Sequence, residues 1–320
     1  MLLKILHILY SYLHLVRYGH AYFAQLEQPL QGKLDEATLT KALERYALHI
    51  PMTCDAFTQL YGRNTTKSEK ERMLLYYVST VIYDDFFDLK QLSTEDQEKI
   101  TLHGLEFEPR NFNEKLFVYM QKALLPGVHQ PEEHLAVFGK LLRNQQDSAK
   151  QFDASVSDSE LERITLQKGG WAYQMCFYYL DLNIDERDIE TTKRLWYQIG
   201  GIIQLINDQY DIRKDMLEGI VTLPYRMKDV HAYWNYYHQT VQTFFAEVDK
   251  LHVPKSRKKK FIQIMRATTA FGYLGLEQFM DIQGNNPELP PMESLTRQQL
   301  VVDMAKSKNW WRWLKHYYWT

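Results

Sequence analysis
The run VIYDDFFDLK, Val81 to Lys90, places three carboxylates, Asp84, Asp85 and Asp88, inside an apolar and aromatic stretch. Residues four apart share one face of a helix, so Asp84 and Asp88 point the same way, with Asp85 about a quarter-turn aside. Acids gathered at the positive end of a helix would be the plainer reading. The preceding segment MLLYYVSTVIY is strongly apolar, however, so the acids fall where a buried helix is already under way. Such clustering is costly unless something neutralises it. Hard divalent cations do so with oxygen ligands, and Mg2+ takes one or two carboxylates together with waters and substrate phosphates. The motif therefore predicts a magnesium and diphosphate site on a helix.

A second stretch has the same character. GGIIQLINDQYDIRKD, 200–215, leads from an apolar run into Asn207, Asp208, Asp211 and Asp215. Asn207, Asp211 and Asp215 are spaced four and four, an amide and two carboxylates down one helical face. Two acidic faces, each emerging from buried sequence, are what a helical bundle needs to clamp metal ions from opposite walls of a cavity.

The rest of the chain reads as helix almost throughout. Apolar residues recur three and four apart in 34–48, 68–90, 113–125, 132–150, 158–180, 187–218, 229–251 and 258–282. Asp35 and Thr38 stand near the start of the first of these. Alternating strand patterns and Asn-Gly hairpins are essentially missing. Breaks are expected at Pro51, 103–111, Pro126-Gly127, Asn183, Gly219 to Pro224, Pro254 and 284–291. None is long, so the expectation is one all-helical domain spanning 1–320 without internal repeats. At the N-terminus, Leu2, Leu6, Leu9, Leu13 and Val16 suit an amphipathic helix over 1–30, packed on its own protein. Lys4, His7, His14 and Arg17 interrupt it too often for a membrane span or a secretory leader.

Composition bounds the function. A formal net charge of −2 argues against a nucleic-acid-binding surface. The two cysteines, Cys54 and Cys176, form no disulfide framework and lack metal-ligand spacing, which suits a reduced, cytoplasmic compartment. The basic run at 255–260 reads as a solvated helix start, with an acidic-lipid contact as the alternative.

The pair Asp84-Asp85-Phe-Phe-Asp88 and Asn207-Asp-x-x-Asp211-x-x-Lys214-Asp215 resembles the two metal motifs of class I terpene synthases and the related all-trans prenyl diphosphate synthases. The first matches DDxxD in full. The second has the spacing of the terpene synthase pattern NDxxSxxKE, with Asp211 for Ser or Thr and Asp215 for Glu; it also resembles the prenyl synthase DDxxD with Asn207 in the first place. Lys168-Gly169-Gly170 resembles the place where that fold breaks a helix beside the substrate and keeps a diphosphate-binding lysine. Gly219 to Pro224 is similar to the stretch after the second prenyl synthase motif.

The resemblance implies an isoprenoid-synthase-type helical bundle around a central active-site cavity, and three Mg2+ ions. Asp84 and Asp88 would bind two, and Asn207, Asp211 and Asp215 the third, with Asp85 and Asp208 beside them. Arg163, Lys168, Arg213 and Lys214 become candidate diphosphate contacts, and a homodimer is a family expectation. Ionising an allylic diphosphate produces a carbocation that aromatic ring faces can shield; Tyr83, Phe86, Phe87, Trp171, Tyr173, Phe177 and Tyr210 lie near the motifs. No GGKR segment precedes the first motif and no paired arginines follow it, so a site for isopentenyl diphosphate is missing. The expected activity is a terpene synthase acting on farnesyl or geranylgeranyl diphosphate. Chain elongation, head-to-head condensation and a non-catalytic partner subunit are the alternatives. The adjacent Arg-Tyr pair of many bacterial terpene synthases is not found; WWRWLKHYYW, 310–319, offers a lid, a packing surface or a membrane-interface anchor instead.

Overall fold
The computed structural model describes residues 2–319, with side chains described for 10–318. It is all-helical, and no strand occurs among the described residues. The chain divides into two compact units, one of 1–145 with 175–183 and the other of 146–174 with 184–320.

The first unit opens with α1 (Leu2–Leu30), which lies against α2 (Glu36–His49). Leu15, Gly19 and Phe23, four apart, are the buried face of α1. At Gly19 an added Cβ would meet Leu43 Cδ2 at 2.2 Å, so the glycine sets how closely the two helices approach. Leu13, expected on the packed face, is exposed, and Leu2, Leu6 and Leu9 have side chains outside the described residues. Asp35 caps α2 by accepting from the Thr38 amide.

The break expected at Pro51 does not occur. One π-helical turn, Ile50–Cys54, joins α2 to α3 (Asp55–Leu60). Proline lacks an N–H and its ring crowds the preceding turn, and the wider π turn accommodates it. Thr53 Oγ1 donates to the His49 carbonyl at 2.6 Å inside the widened turn.

Helix α4 (Lys67–Asp88) begins with a capping box between Thr66 and Glu69. Its inward face packs on α2 and on α6 (Phe112–Leu124), with α5 (Thr94–Leu102) between α4 and α6 in sequence. Tyr83 stacks on Phe117 at 5.6 Å between ring centres, and Phe86 meets the same ring edge-on. Helix α7 (Pro131–Asp147) adds Phe138 to this core.

Helix α8 (Asp158–Tyr178) gives its last turn to the first unit, where the Cys176 thiol faces Tyr77, and the rest to the second. There it crosses α9 (Ile189–Glu218) at bare backbone. A Cβ on Gly169 would stand 2.1 Å from the Gly200 carbonyl oxygen, and one on Gly200 would stand 2.2 Å from that of Gly169. The helix break expected at Lys168-Gly169-Gly170 is therefore absent: α8 runs through it, and the glycines serve the crossing. Helices α10 (Val230–Asp249) and α11 (Lys255–Gln283) pack on α9 and on each other, α12 (Arg297–Leu300) touches α9, and α13 (Ser307–Trp319) lies along α11.

Candidate metal and diphosphate site
The first acidic motif stands at the C-terminal end of its helix, and the second runs through the last three turns of its own. Asp84 and Asp85 occupy the last turns of α4 and Asp88 is its final residue. In α9, Asp215 and Glu218 fill the last turn before Gly219, whose left-handed φ of 72° ends the helix. Carboxylates there meet the negative end of the helix dipole, which disfavours them. Collection at a helix N-terminus is thereby excluded.

In the first unit, Tyr83 and Phe86 turn into the core while the acids turn outward. Asp84 accepts from Gln145 Nε2 at 2.6 Å and lies 3.6 Å from Arg45 Nη1. Burial raises the pKa of Asp85, and the charges of Asp84 and Asp88 add to that; Lys41 and Arg45 of α2 work against it. Lys41, Arg45 and Gln145 were not foreseen from sequence. Their only signal was that Lys41 and Arg45 stand four apart amid the buried Ala42, Leu43 and Tyr46.

In the second unit, burial shifts the weight of the motif. Asn207 and Asp211 are exposed, whereas Asp208 and Asp215, seven apart and so on one face, are buried. Asp208 accepts from Thr165 Oγ1 of α8 at 3.1 Å and from Gln204 Nε2 at 2.7 Å. Burial pushes its pKa up to about 6, although both hydrogen bonds and the nearby charge of Lys168 oppose the shift. Asp215 is pushed up to about 7, by burial first and then by the charges of Asp208 and Asp211; Lys214 opposes. Thr165 carried no sequence signal, since it is an ordinary helix-face residue until the crossing brings α8 beside α9; Gln204 did carry one, standing four before Asp208 on the same helix.

The cation candidates separate. Lys168 lies close enough to Asp208 to favour its ionised form. Arg163 donates to Glu160, Gln167 and Asp147, an ion-pair group that Lys150 joins. Lys214 lies 3.6 Å from Glu218 on the surface, and Arg213 is half-buried. Among the named aromatics, Phe87 meets Tyr83 edge-on, Trp171 meets Tyr197 edge-on at 4.5 Å, and Tyr173 and Phe177 are buried. The Tyr210 hydroxyl donates to the Phe271 carbonyl.

Among the described residues, no group of three or more His, Cys, Asp or Glu side chains is placed to hold a metal ion by itself. The donors present fit Mg2+ nonetheless. They are carboxylate and amide oxygens only, their charge is in excess, and Mg2+ fills its coordination with water and phosphate instead of an all-protein cage.

No family model and no curated protein sequence matches the chain. Among solved structures, it is similar to a geranylgeranyl pyrophosphate synthase, at 13% identity and a TM-score of 0.42, over 78% of this chain and 98% of that one.

Proposed function
We propose that the protein is an Mg2+-dependent class I terpene synthase of isoprenoid-synthase type, which ionises a linear prenyl diphosphate such as farnesyl diphosphate. What supports the reading is that two acidic motifs with the family's spacing run toward helix C-termini, and that burial raises the pKa values of three of their carboxylates, Asp85, Asp208 and Asp215. Crowded, desolvated acids gain most from divalent cations.

When bound, the magnesium ions supply Lewis acidity to the departing diphosphate. Asp84 and Asp88 hold ions on α4, and Asn207, Asp211 and Asp215 on α9. Asp85 and Asp208 stand behind them. Arg45 and Gln145 fix the Asp84 carboxylate, while Thr165 and Gln204 fix that of Asp208. Lys168 carries the free positive charge best suited to the diphosphate, because Arg163 is committed to Asp147 and Glu160. As the allylic carbon–oxygen bond breaks, the electron pair leaves with the diphosphate and the carbocation is passed to aromatic faces.

The test incubates purified protein and Mg2+ with geranyl, farnesyl or geranylgeranyl diphosphate, each with and without isopentenyl diphosphate, followed by gas chromatography and mass spectrometry. A hydrocarbon or alcohol from one substrate alone, lost in Asp84→Ala and Asn207→Ala, supports the reading. Longer prenyl products that require isopentenyl diphosphate would replace it with chain elongation. No turnover of any substrate would move the chain to a non-catalytic role.

A further inference from the structure
Helix α13 carries no acidic residue, and its two sides differ in kind. One side packs on α11. Trp313 Nε1 donates to the Ala267 carbonyl at 3.0 Å, His316 Nε2 lies 2.8 Å from Glu277, and the His316 ring stacks on Tyr273. The other side is uncovered: Trp311 is 73% exposed, Tyr318 61% and Trp310 45%. At a helical turn of 100° per residue, positions 310, 311 and 318 fall within about 100° of arc, with Leu314 between them packed in part on the cluster around Leu274 and Trp313. Lys308 and Lys315, both exposed, run along one edge of that arc.

The contacts fix the direction of α13. Lys308 and Arg312 meet Asp281, His316 meets Glu277 and Tyr273, and Tyr317 feels the charge of Arg266. The helix is thus antiparallel to α11, and its C-terminal end runs toward the start of α11. That start is KSRKKK, 255–260, five cations without an acid, of which Lys255, Arg257, Lys259 and Lys260 are exposed. Lys259 and Lys255 precede Arg266 by seven and eleven residues and so share its face, the one α13 lies on. Lys259 stands about 10 Å beyond Arg266 along the axis.

We propose that the uncovered aromatic side of α13, together with the basic start of α11, docks on the surface of an anionic lipid bilayer. Indole and phenol rings settle at the headgroup level while lysines engage lipid phosphates. The helix has 13 residues, and no described helix is long and apolar enough to cross a membrane, so the contact is peripheral. A second copy fits this surface poorly. A two-fold contact would bring the same cations against themselves, whereas an anionic surface complements them.

Flotation of the full-length protein with vesicles of phosphatidylcholine, alone or mixed with phosphatidylglycerol, tests this. Binding is expected only to the mixed vesicles, with the tryptophan emission shifted to the blue. Lys255→Gln with Lys259→Gln should lower the partition coefficient about fivefold per charge removed. Trp311→Glu should abolish the fluorescence shift; the side chain is exposed, so the fold tolerates the change, which circular dichroism checks. Binding to neither vesicle, equal binding to both, or a dimer in solution that Trp311→Glu dissociates would each overturn the proposal.

Discussion
Replacing Asp208 by Asn should stabilise the folded protein at neutral pH while abolishing turnover. In the fold the carboxyl titrates at about 6 because it is buried; unfolded, it titrates near its ordinary value of about 4. Its contribution to stability is fully present below about pH 4 and is lost as pH rises to about 6. Two units at about 1.4 kcal/mol each come to about 3 kcal/mol, which local relaxation reduces to about 2. An asparagine carries no charge; its one oxygen accepts from Gln204 Nε2, and its amide can donate to the Thr165 hydroxyl, which turns from donor to acceptor. The wild-type profile alone would hide the effect. Burial holds His49 down to about 3 and His134 down to about 4, so their stability is present above the ordinary histidine value and is lost as pH falls. These trends oppose each other between about pH 4 and 6.5, so the difference between the two proteins is the quantity to read. Urea unfolding without metal at pH 4.5, 6 and 7.5 should give an Asp208→Asn advantage that grows with pH toward about 2 kcal/mol. Saturating Mg2+ should stabilise the wild type at pH 7.5 and shrink that advantage. The reasoning fails if the variant is less stable at pH 7.5, or if its advantage does not change with pH.

Gly200→Ala should lower the apparent melting temperature by several degrees. The overpacking costs about 3 kcal/mol, offset by about 1 of helix propensity. Gly139→Ala, where the nearest atom is an ordinary 3.6 Å away, should leave melting unchanged or raise it slightly. Arg163→Gln should cost about 1 kcal/mol of stability and release Glu160 from a pKa held down at about 2, with KM for the diphosphate unchanged; a large rise in KM would return Arg163 to the diphosphate. Trp313→Ala, read by thermal unfolding, should cost about 3 kcal/mol or more, because the ring is the centre of the contact between α11 and α13.

The long helices were legible in the sequence because their apolar spacing is dense. The stretches read at 158–180 and 187–218 appear as Asp158–Tyr178 and Ile189–Glu218. Pro51 misled because the rule that proline ends a helix holds for α geometry, and a π turn accommodates it. Lys168-Gly169-Gly170 misled for a different reason. A glycine pair that lets two backbones touch looks, in one dimension, the same as one that bends a helix. Asn207, Asp211 and Asp215 do fall along one helix, yet which acids are buried depends on the helices packed alongside, and Asp208, placed beside them from sequence, is buried next to Thr165. Lys41, Arg45 and Gln145 escaped notice for the same cause: each reaches the first motif from another helix.

The crossing at Gly169 and Gly200 also has a consequence in time. Where two helices meet through side chains, rotamer exchange lets them breathe; where carbonyl oxygens rest against glycine Cα atoms, no rotamer is available to give way. Amide hydrogen exchange should therefore be slowest around residues 165–173 and 197–205, opening only with the second unit as a whole. Asp208, one turn further along α9, would then be anchored next to the least yielding segment of that unit, while Asp215 sits in the turn before Gly219 that frays first.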